Sequence, residues 1–357
     1  MNINIMKQSI YCTKLLFIIA IIMFTSCEED PVVPIVNCRN ANLQIINNIP
    51  DNITGYDIRD RFLFCIDECL YMKIEYYENI NNDRPWDNQV IYEYNTITNK
   101  WTIVWYISSI EVEQLQKGEN PDDWEKAQKL MEMSESLHRS QCGNCCGYNG
   151  KGYIYDNNGR MLEFNPLTKE MTSHNNADQL GYDVRLFSNA KGVFGYSKSY
   201  NILFQYALEE HQWKEISSIY EDELIRFLSD GYQTIDNPND DKIHVWTNYS
   251  NTDYSITSYV YPYDIIENRY NIIPPHDYGW NNYSYYSYND YTAALFTING
   301  KLYKGLGDQI FYEYNPIDQS INLIVAGTEQ YHFDLPLAVI GNKLYSIASD
   351  QLVSIEF

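Results

Sequence analysis

One interval recurs along this chain and restricts its fold more than any other feature. A strand-like alternation ends in an aromatic residue, a polar turn follows, and an apolar residue stands seven positions after that aromatic. Tyr94 pairs in this way with Trp101, Phe164 with Met171, Tyr206 with Trp213, Tyr263 with Tyr270 and Tyr314 with Ile321. A second pattern precedes the first: strand, tight turn, strand, as in LFSNAKGVFGY from Leu186, LFTINGKLYKG from Leu295, AVIGNKLYSI from Ala338 and, shorter, GYNGKGYIY from Gly147. Asn149-Gly150 and Asn299-Gly300 have the positive-φ preference that a two-residue hairpin turn requires.

Joined, the two patterns make a four-stranded meander of ~40 to 55 residues, the period of propeller blades. The third-strand aromatics count five units, and Leu344 to Phe357 supplies a sixth with Ile355 in the aromatic position. That last unit stops after its third strand. Leu43-Gln44-Ile45-Ile46 is the segment expected to complete it, which would close the ring and remove exposed sheet edges. The expected fold class is therefore all-β, a six-bladed β-propeller over 41–357.

The aromatic spacing and the hairpin before it resemble the kelch repeat, found also in the central domain of galactose-oxidase-like proteins. The resemblance covers roughly Arg61 to Phe357. It departs from the family where paired glycines usually end the second strand, since only isolated Gly195 and Gly305 stand there. Galactose oxidase uses copper with a modified tyrosine; no residue here marks an equivalent, and that activity is not carried over.

Between the first two units the strand pattern breaks, and a two-helix insertion is expected over 108–147. Ser108 and Glu111 have capping-box spacing, and Gly118 is a good stop. Asn120-Pro121-Asp122-Asp123 then offers a cap, a first-turn proline and acidic residues at the positive helix end. Trp124, Ala127, Met131 and Leu137 fall close to one face of the second helix, read as a core-facing stripe. The insertion is either decoration or a lid or partner-binding knob.

At the N-terminus, Lys7 and Lys14 precede ten uninterrupted apolar residues, Leu15 to Phe24. That run is too short to span a bilayer and has the length of a signal-peptide core. Phe24-Thr25-Ser26-Cys27 resembles a lipobox, with Phe24 where Leu is usual. The resemblance implies cleavage after 1–26 and lipidation of Cys27, an acyl anchor that holds firmly without spanning. An acidic, proline-bearing tether would occupy 27–40, where Glu28-Glu29-Asp30 resembles a surface-export signal of some Gram-negative lipoproteins or is an ordinary charged linker. The expected address is the outer membrane, facing the cell surface or the periplasm.

Charge narrows the partners. The chain has 25 basic and 48 acidic residues; without Lys7 and Lys14 the mature balance is 23 to 48, or −25. A chain so acidic repels phosphate backbones, which argues against nucleic acid.

Six cysteines remain after Cys27: Cys38, Cys65, Cys69, Cys142, Cys145 and Cys146. Their C-x3-C and C-x2-C-C spacings could supply four thiolates to zinc, but outside the cytosol an even count favours disulfides. Bridges from the 65/69 pair to the 142/145/146 cluster are expected, stapling the insertion to the first blade. No metal or other cofactor is expected.

His138, His174, His211, His244, His276 and His332 are scattered singly, without a metalloprotease, nucleophile-elbow or phosphate-loop motif. Asp236 to Asp241 lacks the glycine and terminal Glu of a calcium loop and reads as a solvated turn. Tyrosine, 34 in all, concentrates in YGWNNYSYYSYNDY from Tyr278 to Tyr291. There Trp280, Tyr283, Tyr285, Tyr286 and Tyr288 among amides and hydroxyls form a candidate platform for sugar rings or a protein partner, or else a plain blade edge. The expected function is a non-catalytic binding module for a glycan or protein ligand. A carbohydrate lyase or sugar epimerase and a structural envelope subunit are the alternatives.

Overall fold

The computed structural model describes residues 37–48, 50, 57–77, 88–139, 144–156, 159–175, 180–181, 184–197, 200, 202–218, 233–234, 242–250, 256–264, 269–270, 294–305, 310–315, 320–326, 334–348 and 351–357. Alternating apolar strands broken by polar turns fold into successive antiparallel meanders. The first comprises β2 (Asp57–Ile66), β3 (Cys69–Tyr77), β4 (Asn88–Asn95) and β5 (Lys100–Ile107). The second comprises β6 (Cys145–Tyr148), β7 (Lys151–Tyr155), β8 (Arg160–Asn165) and β9 (Glu170–Asn175). The third is β10 (Val184–Asn189), β11 (Gly192–Ser197), β12 (Ile202–Ala207) and β13 (Gln212–Ser218). A short β14 (Gln233–Thr234) follows, then a three-stranded sheet of β15 (Lys242–Ser250), β16 (Ile256–Asp264) and β17 (Arg269–Tyr270). The next meander runs β18 (Ala294–Ile298), β19 (Lys301–Gly305), β20 (Ile310–Asn315) and β21 (Ser320–Ala326). β22 (Asp334–Ile340), β23 (Lys343–Ala348) and β24 (Gln351–Glu356) begin the last.

The fourth strand of that last sheet comes from the start of the chain. β1 (Asn37–Asn48) lies antiparallel to β24, with Leu43 opposite Ile355, Gln44 opposite Ser354 and Ile45 opposite Val353. Its first half does something the sequence did not announce: Asn37 to Ala41 pair in parallel with Asn322 to Ala326 of β21. One strand thus bridges two sheets, and pairing begins at Asn37, inside the stretch assigned to the tether.

All five seven-residue intervals are cross-strand partners. Tyr94 faces Trp101, Phe164 faces Met171, Tyr206 faces Trp213, Tyr263 faces Tyr270 and Tyr314 faces Ile321. The turn between them passes through a left-handed residue, Asn99, Lys169 and His211 in the first three units, with φ of 53°, 59° and 53°. The hairpins use the turns their sequences demand: Asn149 and Gly150 have φ of 51° and 75°, and Asn299 and Gly300 of 52° and 74°.

Both faces of the sheets are covered, so consecutive residues of one strand enter different layers. From β2, Phe62, Phe64 and Ile66 join Ile154, Leu162 and Phe164 of the second sheet. Leu63 joins Tyr345, Ile347 and Leu352 of the last sheet. The second and third sheets share Tyr155, Met161, Leu186 and Tyr206, and the last two share Phe311, Ile324, Val353 and Ile355. Each fully buried side chain of this size contributes about 1.5–3 kcal/mol by leaving water. The first strands of successive sheets also touch, β18 with β22, β22 with β2, β2 with β6 and β6 with β10. The approach is close enough that a Cβ on Gly147 would lie 2.0 Å from the carbonyl oxygen of Cys65. Four-stranded meanders stacked face to face, first strands innermost, define a β-propeller.

Candidate functional site

Several residues singled out in the sequence lie outside the described residues: Cys27, Cys142, the Asp236 to Asp241 stretch, His276, His332, and the aromatic set Trp280, Tyr283, Tyr285, Tyr286 and Tyr288. Cys38 is on β1 and His244 on β15. The remaining cysteines are spread across layers. Cys65 packs with the core between the first and last sheets, Cys145 between the first and second, and Cys146 between the second and third. A bridge from Cys65 to Cys145 or Cys146 would have to pass through a β-sheet, because strand alternation points these side chains into different layers. Cys69, at the start of β3, is an exposed free thiol. Its pKa is raised by partial burial and by the nearby Glu93 carboxylate.

The insertion forms two helices, α1 (Ser109–Lys117) and α2 (Pro121–Arg139). Ser108 caps α1, its side chain accepting from Ile110 N, and Asn120 Oδ1 accepts from Asp122 N at the start of α2. The expected core-facing stripe is only partly so. Ala127 and Leu137 are buried, whereas Trp124 is 58% exposed. The reason lies in what each half of α2 covers. The contacts to the sheets that fix α2 fall from its middle onward, Arg160 Nη1 donating to Glu132 O and His138 Nδ1 lying 2.7 Å from Glu75 Oε1, whereas Trp124 stands in the first turn. Tyr106, on the outer strand β5 leading into the insertion, is 60% exposed, and Ile103 and Ile110 are exposed as well.

Beneath α2 is a buried polar cluster. Lys73 Nζ lies 3.0 Å from Asp60 Oδ2 and 3.2 Å from Glu75 Oε2, and the Lys73 and Glu75 side chains are both 0% exposed. His138 reaches down from α2 to place Nδ1 2.7 Å from Glu75 Oε1. Gln89 stands opposite Glu75 in the sheet, buried, with neither amide atom hydrogen-bonded. Burial of a lysine and a glutamate together is tolerated because each neutralises the other, and the His138 contact ties the insertion to the first sheet.

A second cluster lies where the second and third sheets meet. His174 on β9 and His211 in the β12–β13 turn stack with ring centroids 3.7 Å apart and planes 9° from parallel. Glu163 on β8 completes a set whose ligand-type atoms all lie within 4.8 Å of one another. Lys151 pairs with Glu163, and Tyr206 Oη is 3.5 Å from His211 Nδ1. Burial and then the neighbouring His211 lower the pKa of His174. Single histidines 37 positions apart gave no motif in the sequence. The signal that could have found them is the repeat itself, since His211 occupies the turn position held by Asn99 and Lys169 in the units before it.

No family model matches this chain, and no curated protein matches it by sequence. By fold it belongs to the β-propellers. Among solved structures, a chain from the crystal structure of the mitotic checkpoint complex is similar, with 9% sequence identity and a TM-score of 0.45 over 92% of this chain and 94% of that one. A likeness that distant carries no argument about function.

Proposed function

We propose that this protein is an exported lipoprotein, anchored through Cys27, whose six-bladed kelch-like propeller binds a glycan or protein ligand at the outer membrane without transforming it. The observation that carries the binding reading is the exposure of Trp124 and Tyr106 on and beside the insertion, where Trp101, Trp105 and Trp213 are at least partly covered. Large rigid aromatics in water are the usual anchors of an interface, since they bring contact area at small entropic cost. Export is supported by Leu15 to Phe24 and by the lipobox-like Phe24-Thr25-Ser26-Cys27. Six blades are supported by the three four-stranded sheets, the β15–β17 sheet and the two meanders that β1 joins into one nine-stranded sheet, and the aromatic cross-strand pairs support the kelch likeness. The net charge argues against nucleic acid.

Glycan and peptide arrays probed with the propeller from Asn37 onward test the binding reading. A hit that Trp124→Ala with Tyr106→Ala abolishes, at unchanged melting temperature, is the expected result. A hit abolished instead by Trp280→Ala with Tyr286→Ala would move the site to the tyrosine-rich segment. Arrays without any hit would remove the reading. Incorporation of labelled palmitate, lost on Cys27→Ser, tests the anchor.

The Lys73, Glu75 and His138 cluster favours a second reading, a carbohydrate-active enzyme, because three titratable groups converge there with an unpartnered amide. Turnover of a polysaccharide by the wild type but not by Glu75→Gln would select it.

A further inference from the structure

We propose that Glu163, His174 and His211 form a binding site for a divalent transition metal, zinc by ligand type, joining the outer strands of the second sheet to the turn of the third. The donor set is two imidazoles and one carboxylate, which with a water makes a four-coordinate zinc site. Ligands at about 2.0–2.1 Å from tetrahedral zinc stand about 3.4 Å from one another. The atoms here lie within 4.8 Å, and because a metal lies in the plane of each imidazole that binds it, the two stacked rings, 9° from parallel, must also turn toward a common point.

Three observations separate this trio from a chance meeting of polar side chains. His174 Nε2 is buried and has no hydrogen-bond partner, a costly state for a nitrogen lone pair unless something binds it. His211 sits at φ 53°, in the left-handed region, where Asn99 serves the same turn in the first sheet. Asn99 Oδ1 accepts a hydrogen bond from Tyr94 at 2.9 Å, and His211 Nδ1 lies 3.5 Å from the equivalent Tyr206 Oη, where an Nδ1–H tautomer would donate. Asparagine would suit that turn, so the imidazole has added a donor that reaches a neighbouring sheet. With Nδ1–H directed at Tyr206 Oη, the Nε2 lone pair of His211 is left for a metal, the arrangement that orients ligating histidines elsewhere.

Lys151 provides the counter-charge. Its ammonium pairs with Glu163 Oε1 and is partly exposed, so it can turn to solvent when a dication takes over the carboxylate. The site would add a clamp between two sheets that meet through the apolar layer around Tyr155, Met161 and Tyr206 and through the hydrogen bond from Ser188 Oγ to Gly147 O.

The test is calorimetric titration of the full-length chain with Zn2+, together with the absorption spectrum of the Co2+ form. One metal per chain is expected, with a Co2+ spectrum free of thiolate charge-transfer bands. His174→Gln with His211→Asn should weaken binding by at least about 100-fold, since it removes two direct ligands. His211→Asn alone keeps the turn, following Asn99, and should weaken it by at least about tenfold. Lys151→Met should tighten it, because the competing charge is gone. No zinc uptake by the wild type would overturn the proposal, and so would equal affinity in the wild type and His211→Asn. Thiolate bands in the Co2+ spectrum would overturn it too, placing the metal on the cysteines.

Discussion

Lys73 and Glu75, two positions apart on one strand, pair at 3.2 Å with neither side chain reaching solvent. Removing one charge of such a pair strands the other in a medium that solvates it poorly. Lys73→Met should therefore cost about 3–5 kcal/mol, read from urea denaturation. The double change Lys73→Met with Glu75→Leu should cost less than the single one. A single variant as stable as the wild type would show that His138 alone satisfies Glu75.

Trp213 and Trp101 hold equivalent places in their units. Their rings lie 4.9 Å from Tyr206 and Tyr94, tilted 50° and 53°. Trp213 is buried and Trp101 only half so. Trp213→Ala should lower stability by about 3–5 kcal/mol, and Trp101→Ala by clearly less, in thermal or chemical melts. The opposite ranking would mean that the third sheet packs differently.

Gly147 and Gly300 are needed for different reasons, and alanine tells them apart. At Gly147 a methyl group would collide with the Cys65 carbonyl, backbone against backbone, so Gly147→Ala should leave little soluble folded protein. At Gly300 nothing lies within 4 Å and only the φ of 74° resists, so Gly300→Ala should fold with a loss of about 1 kcal/mol. Circular dichroism and yield suffice to compare them.

Cys69 has a thiol pKa raised by burial and then by Glu93. Its alkylation rate should keep climbing at pH values where an ordinary thiol, near 8.5, has levelled off. Glu93→Gln should move the midpoint down. The fold favours the protonated thiol, so the associated stabilisation is complete below the unfolded-chain pKa and is lost as pH rises through the higher folded value. A midpoint unchanged by Glu93→Gln would contradict this electrostatic account.

What the sequence made legible was local. The seven-residue intervals and the Asn-Gly hairpins each join neighbouring strands of one meander, so their spacing survives in the linear order. Pairing of Leu43 with Ile355 was legible for another reason: an unfinished last unit requires a strand from somewhere, and the chain start had one of the right pattern. Contacts between sheets left no such trace. His174 meets His211 only because two meanders pack at a particular angle, and nothing periodic encodes that. Lys73 and Glu75 alternate with apolar residues as any half-exposed strand would, so their burial depends on what packs against that face, Phe62 beside Lys73 and His138 of α2 against Glu75. Trp124 kept helical spacing with Ala127 yet stands in water, since periodicity gives a face but not the extent of what covers it.

The double pairing of β1 sets a timetable. Asn42 finds its partner in Glu356 and Asn37 finds its partner in Asn322, so β1 waits for β21 and β24, far along the chain, before its edges are satisfied. Until then the interim species carries raw edges at β1, β21 and β24, and its lifetime is set by how fast the tail arrives. A nascent or clipped chain lacking Gln351 to Glu356 is consequently the form most exposed to strand-capture by other molecules.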